Sequence, residues 1–158
     1  MSDAQSLQTL NVLLDKITAE RDQAKVWLGE CMARAQAARA QAGELKDYRM
    51  DYEMRWGQRF AQGSTVDLLN CYQNFSGKLE EAIVSQGNLA GHADQRVELA
   101  RTQLLALEMR VTAIQKLIER RKAEAQAQQQ RQEQKATDEF AARIARNQAA
   151  DHPLKPLQ

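Results

Sequence analysis

The chain is 158 residues long, 43% apolar but only 5% aromatic, and its 22 basic and 21 acidic groups leave a formal charge of +1. Much of the apolar share is alanine, which favours helix but builds little core, and the near-neutral balance gives no overall field for nucleic acid or anionic lipid. Both prolines, Pro153 and Pro156, lie at the far end and no β-branched runs punctuated by turn residues occur, so sandwiches, barrels and α/β nucleotide-binding folds give way to long helices.

The first predicted element is a helix over residues 1–60. From Leu7 onward, positions spaced alternately by three and four run Leu7, Leu10, Leu14, Ile17, Arg21, Ala24, Leu28, Cys31, Ala35, Ala38, Ala42, Leu45, Arg49, Tyr52 and Trp56, and thirteen of these fifteen are apolar. A 3.5-residue repeat held over seven heptads marks a coiled-coil seam rather than a helix lying on a globular core. The periodicity stops after Trp56. Gly57 and Gly63 follow, and Ser64-Thr65-Val66-Asp67 reads as a helix start with a hydroxyl cap and an acid in its first turn, which predicts a turn at 61–65.

A second helix is expected over 66–118, paired with the first. Its seam reads Leu68, Tyr72, Phe75, Leu79, Ile83, Gln86, Ala90, Ala93, Val97, Ala100, Leu104, Leu107, Val111, Ile114 and Ile118, with two four-residue steps at Phe75-Leu79-Ile83. If the chain folds back near residue 62, facing residues carry numbers that add to about 124, because antiparallel helices rise equally. Tyr52 then meets Tyr72, Leu45 meets Leu79, Cys31 meets Ala93, Ala24 meets Ala100, Ile17 meets Leu107 and Leu10 meets Ile114. Bulky faces bulky at both ends and small faces small in the middle. The predicted fold is therefore all-α, an antiparallel two-helix coiled-coil hairpin with a C-terminal helical extension, a rod that pairs within one chain and stays monomeric. In this register Cys31 and Cys71 lie ~33 Å apart along the rod and remain free thiols. Gly87 and Gly91, a small-xxx-small pair, are expected to let helix 2 approach the alanine-rich stretch of helix 1 closely.

Past Ile118 nothing in the chain faces helix 2. Residues 119–148 carry strong helix formers without an apolar stripe and are expected as an unpaired, solvated helix, followed by a disordered tail over 149–158 that Pro153 opens. Lys116, Arg120, Arg121 and Lys122 form a basic cluster at the junction. It lacks the base-reading asparagine pattern and the parallel zipper of a bZIP region, so an acid-binding or solvated face is the expectation.

Nothing in the chain points to catalysis. His92 and His152 are the only imidazoles, neither has a metal or triad spacing around it, and no HExxH, CxxC, Walker loop or GxGxxG occurs, so no catalytic residue, metal or cofactor is expected. The longest apolar runs are far too short for a membrane span and the N-terminus lacks a signal-peptide pattern, which predicts a cytoplasmic protein. Aromatic placement is more telling, since Tyr48, Tyr52, Trp56, Phe60, Tyr72 and Phe75 all fall in the tip half of the hairpin. A two-helix seam cannot bury so many rings. Gln41, Leu45, Tyr48 and Tyr52 share one stripe and Phe75, Leu79, Ala82 and Gln86 another, and the register brings the two stripes to the same side. Leu45, Tyr52 and Leu79 belong partly to the seam, while Tyr48, Phe75 and Ala82 sit at its edge, open to a partner.

These features resemble the flagellar FliJ family, the soluble component of the flagellar type III export apparatus. The resemblance is carried by the leucine-rich N-terminal heptads, by Gln41-x3-Leu45-x2-Tyr48-x3-Tyr52, by Tyr72-x2-Phe75-x3-Leu79-Glu80-x-Ala82-Ile83, and by Lys135-x2-Asp138-Glu139-Phe140. It implies a stalk-like coiled coil that binds inside the ring of the export ATPase FliI, promotes its assembly and activity, contacts the cytoplasmic domain of the export gate protein FlhA, and handles empty export chaperones. Its place would then be cytoplasmic and peripheral to the inner membrane through the export apparatus. The family's gate-binding stripe carries over to Gln41, Leu45, Tyr48, Tyr52, Phe75, Leu79, Ala82 and Gln86, where Gln86 departs from a family pattern that has His. A stalk role further implies ATPase contact at the open end of the hairpin, through Leu7, Leu10, Leu14, Ile17, Ile114, Lys116, Arg120, Arg121 and Lys122. The competing readings are a generic coiled-coil scaffold and the equivalent stalk protein of a virulence-type secretion system.

Overall fold

A computed structural model describes residues 2–151, so His152, Pro153 and Pro156, and with them most of the expected 149–158 tail, lie outside the described residues. Two helices, α1 (Asp3–Ala61) and α2 (Val66–Ala150), form an all-α hairpin with no strand among the described residues. Ser2 caps α1 by accepting the Gln5 backbone N–H on its Oγ at 3.4 Å, and Asp3 adds a favourable charge in the first turn. At the other end, the N–H groups of Gln62 and Gly63 donate to the carbonyls of Arg59 and Phe60, tightening the last turn. Gly63 then takes φ +103°, the left-handed geometry that lets the chain reverse without a Cβ penalty. Thr65 opens α2: its Oγ1 accepts from the Leu68 N–H at 3.3 Å and its carbonyl from the Leu69 N–H at 3.1 Å.

The chain divides into two compact units, Ile17–Met109 and a second of Met1–Lys16 with Arg110–Gln158. The first has a core of small residues. Cys31, Ala35, Val97 and Ala100 are buried together, with Leu28 and Ala93 packed against them, and Leu79, Ile83 and Ala90 extend the buried line along α2. Every predicted α1 seam position in this unit, from Ile17 to Trp56, is buried or half-buried. One α2 position differs. Phe75 is exposed and Ser76 is half-buried, so the seam runs Leu68, Tyr72, Ser76, Leu79, Ile83, which moves the pair of four-residue steps from Phe75-Leu79-Ile83 to Leu68-Tyr72-Ser76. The small hydroxymethyl group fits between the helices and the ring is displaced to the edge.

Gly87 and Gly91 also depart from expectation. Both are exposed, and a Cβ added at either would meet nothing within 4 Å, so they do not mediate helix approach. Ala90 and Ala93, one helical step away, face the seam instead. Cys31 is buried, Cys71 is exposed, and both are free thiols.

In the second unit Val111 and Ile118 are buried, and Leu7, Leu10, Leu14 and Ile114 are half-buried. Contact between its helices continues beyond Ile118, because α1 runs one turn ahead of the first seam position, Leu7, to Asp3. Arg121 Nη1 donates to Ser6 Oγ at 3.2 Å, and Ala125 is half-buried in a small cleft lined by Leu7. From 126 to 150 every residue of α2 is exposed. That stretch is supported from within, by Gln129 Nε2 donating to Glu133, Gln134 Nε2 donating to Asp138 and the Thr137 hydroxyl donating to the Glu133 carbonyl. Among the described residues no helix is long and apolar enough to cross a membrane.

Candidate functional site

The aromatic stretch lies in the unit of Ile17–Met109, where the last three turns of α1 face the first three of α2. Tyr52 occupies a seam position and is the hub of the ring cluster. Its centroid lies 4.6 Å from Phe75, 5.7 Å from Tyr72, 6.0 Å from Trp56 and 6.3 Å from Tyr48, in stacked, tilted and edge arrangements. Burial raises the pKa of the Tyr52 hydroxyl above its ordinary 10.0; a hydrogen bond with Trp56 opposes the shift and the neighbouring Tyr72 and Tyr48 add to it. Trp56, Phe60 and Tyr72 continue the cluster toward the turn, and the Arg59 guanidinium lies 5.7 Å from the Trp56 ring.

Tyr48 and Phe75 meet edge to face at 6.4 Å, yet they remain 49% and 40% exposed. The two stripes expected to share a side are thus brought together. Gln41 and Ala82 are exposed beside these rings, Leu45, Tyr52 and Gln86 are half-buried, and Leu79 is buried. Gln86 joins the stripes directly: its amide Nε2 donates to Gln41 Oε1 at 3.1 Å and reaches the Ala38 carbonyl at 3.4 Å. Nothing in the residue spacing foretold that bond, which needs two long side chains to converge from different helices.

The residues expected to meet an ATPase divide into two kinds. Leu7, Leu10, Leu14 and Ile114 spend much of their surface on the seam of their own unit, and Ile17 is half-buried in the other unit. Lys116, Arg120, Arg121 and Lys122 are exposed, and among the described residues none of them forms an ion pair. The expected stripe also omitted Trp27, which is 43% exposed with the Arg34 guanidinium 5.5 Å from its ring centroid. A seven-residue count back from Tyr48 through Gln41 and Arg34 would have found it. Among the described residues no group of three or more His, Cys, Asp or Glu could hold a metal ion. What the site presents is ring faces, amides and unpaired guanidiniums.

Comparison with known proteins shows the family. The family model described as "Flagellar FliJ protein" matches residues 6–150. The flagellar FliJ proteins of Escherichia coli (strain K12) and Salmonella typhi are each 32% identical over 145 residues, covering 92% of this chain and 97% of theirs. No solved structure matches. A hairpin whose conspicuous surface is a paired aromatic stripe, matched over nearly its whole length, belongs to the flagellar FliJ family and is a flagellar export component.

Proposed function

We propose that this protein is the stalk-like coupling component of flagellar protein export, binding the ring of the export ATPase FliI with one part of the hairpin and the cytoplasmic domain of the gate protein FlhA with another. The observation that carries the gate contact is the exposure of Tyr48 and Phe75 although each has ring neighbours available. Aromatic surface left in water at a fixed geometry costs solvation and is recovered when a partner covers it. The ATPase contact is supported by the exposed basic cluster of Lys116, Arg120, Arg121 and Lys122 close to the start of α1, which suits acidic residues lining a ring. In this reading the protein acts as a monomer, also handles empty export chaperones, and sits at the inner membrane only through the export apparatus.

Reciprocal variants test it. Tyr48→Ala with Phe75→Ala is expected to abolish calorimetric binding to the FlhA cytoplasmic domain while the helical circular dichroism and the stimulation of FliI are retained. Arg120→Glu with Arg121→Glu is expected to do the reverse, weakening FliI stimulation and leaving gate binding intact. Loss of both functions in either variant would overturn the division of labour, and retention of gate binding by the aromatic variant would remove the stripe from the mechanism.

A further inference from the structure

The docking side does not end at Gln41. Burial places Tyr48 immediately before the seam residue Arg49, and Phe75 immediately before the seam residue Ser76. In a coiled coil, steps of seven keep a side chain on the same edge of the seam. From Tyr48 those steps lead through Gln41 to Arg34 and Trp27; from Phe75 they lead through Ala82 to Leu89 and Arg96. The contact between Tyr48 and Phe75 fixes the antiparallel register, which sets Arg34 beside Leu89 and Trp27 beside Arg96. Each of these four residues is exposed, Leu89 to 56%.

Both cross-helix ion pairs lie on one edge of the seam. Arg39 and Asp94, each immediately after a seam residue, pair across the helices at 3.0 Å, and Glu80, on the same edge, takes Arg49 at 3.2 Å. On the Tyr48 edge, Arg34 and Arg96 have no ion-pair partner among the described residues, and Glu30, one turn from Arg34, does not pair with it. Arg34 instead lies over Trp27. The Arg39 edge carries both cross-helix ion pairs, with Lys25 and Lys46 on it left unpaired, while the stretch of the Tyr48 edge from Trp27 to Tyr48 holds two guanidiniums among bare apolar groups.

We propose that this edge, from Trp27 and Arg96 to Tyr48 and Phe75, is one continuous docking surface whose occupant is the gate protein proposed above, engaging it through an apolar ridge flanked by carboxylates. The proposal rests on the gate reading and names the chemistry of the contact. Size supports it. A stripe from Gln41 to Tyr52 is ~17 Å long on helices ~9 Å apart, so it offers a few hundred Å² against roughly 800 Å² per partner in a stable interface. Starting at Trp27 lengthens it to ~38 Å. A guanidinium stacked on an indole also presents its remaining N–H groups to a carboxylate in a fixed orientation.

Calorimetric titration of the FlhA cytoplasmic domain into full-length protein tests the extension with two variants. Trp27→Ala with Leu89→Ala is expected to weaken binding by about tenfold or more. Arg34→Glu with Arg96→Glu, both fully surface changes that preserve helix, is expected to weaken it by about tenfold at low salt, with the deficit shrinking as salt rises. Unchanged affinity in the charge variant, or a deficit insensitive to salt, overturns the carboxylate contact. If both variants bind like the parent while Tyr48→Ala with Phe75→Ala does not, the extension is wrong and the shorter stripe stands; if that aromatic variant also binds normally, the gate reading itself falls. Should the Trp27 variant instead abolish a dimer seen by sedimentation without touching gate affinity, the edge serves a second copy of this chain and the proposed occupant is wrong.

Discussion

Residues 28–38 with 90–100, and residues 45–60 with 68–79, follow the same spacing on the same two helices, yet they dispose of their side chains in opposite ways. In the first region Cys31, Ala35, Val97 and Ala100 are sealed to between 1% and 6% exposure. In the second, six rings lie within a chain of contacts 4.6 to 6.4 Å apart, and two of them still face water. The difference follows from the dimensions of a two-helix seam. Helix axes some 8–10 Å apart leave room for small groups to be enclosed completely, whereas an aromatic ring carries about 150–250 Å² and overflows the gap. Without a third layer to cover it, the overflow becomes surface. The alanine-rich region therefore holds the helices together, and the aromatic region holds them together while leaving two rings in water, the face proposed for a partner.

The comparison breaks most severely at Ala35. It is 1% exposed, so a carboxylate placed there loses its water, and Arg39, one turn away, is already paired with Asp94. Ala35→Glu is expected to cost about 3 kcal/mol or more, a fall in melting temperature on the order of 10 °C by circular dichroism. Ala37→Glu, two residues away on the exposed face, controls for helix propensity and should stay within about 0.5 kcal/mol. Similar melting of the two variants would mean that the small-residue seam opens readily.

Within the aromatic region the same contrast recurs between neighbours one turn apart. Tyr52 touches four rings and is half-buried, while Tyr48 has one ring on its own helix, one across, and nearly half its surface in water. Tyr52→Ala should therefore destabilise by about 2–3 kcal/mol and Tyr48→Ala by less than about 1 kcal/mol in thermal or urea unfolding. Equal losses would recast Tyr48 as packing and weaken its assignment to a partner.

The hairpin was legible because apolar spacing reports directly on which face of a helix is covered, and α1 obeys it at every position from Leu7 to Trp56. A hydroxyl cap for α2 was legible in Ser64-Thr65-Val66-Asp67, and the structure gives that role to Thr65. Periodicity alone could not choose between Phe75 and Ser76, since both satisfy a permitted step. Gly87 and Gly91 misled for a related reason, because a small residue signals close approach only when it faces a neighbour, and these two face solvent. The meeting of Tyr48 with Phe75 followed from register, but the bond between Gln86 and Gln41 and the cross-helix ion pairs of Arg39 and Arg49 depend on rotamers that no spacing encodes.

The smallest expected effect isolates how dry the hub of the aromatic cluster is. Burial holds the Tyr52 hydroxyl pKa above 10.0, so in the folded state the neutral phenol persists where the unfolded chain has already lost its proton. Above about pH 10 the folded state thus binds the more protons, and stability must fall as pH rises through the Tyr52 pKa, with no contribution from this group below that window. Lysines and the other tyrosines titrate there too, so the informative quantity is a difference: between about pH 9.5 and 11 the parent should lose more melting temperature than Tyr52→Phe, which keeps the ring and lacks the titrating proton. Parallel pH profiles would mean that the hydroxyl ionises as freely folded as unfolded. The ring stack would then be open to water at its centre as well as its edge, and the exposure of Tyr48 and Phe75 would no longer distinguish them as the part of the cluster reserved for a partner.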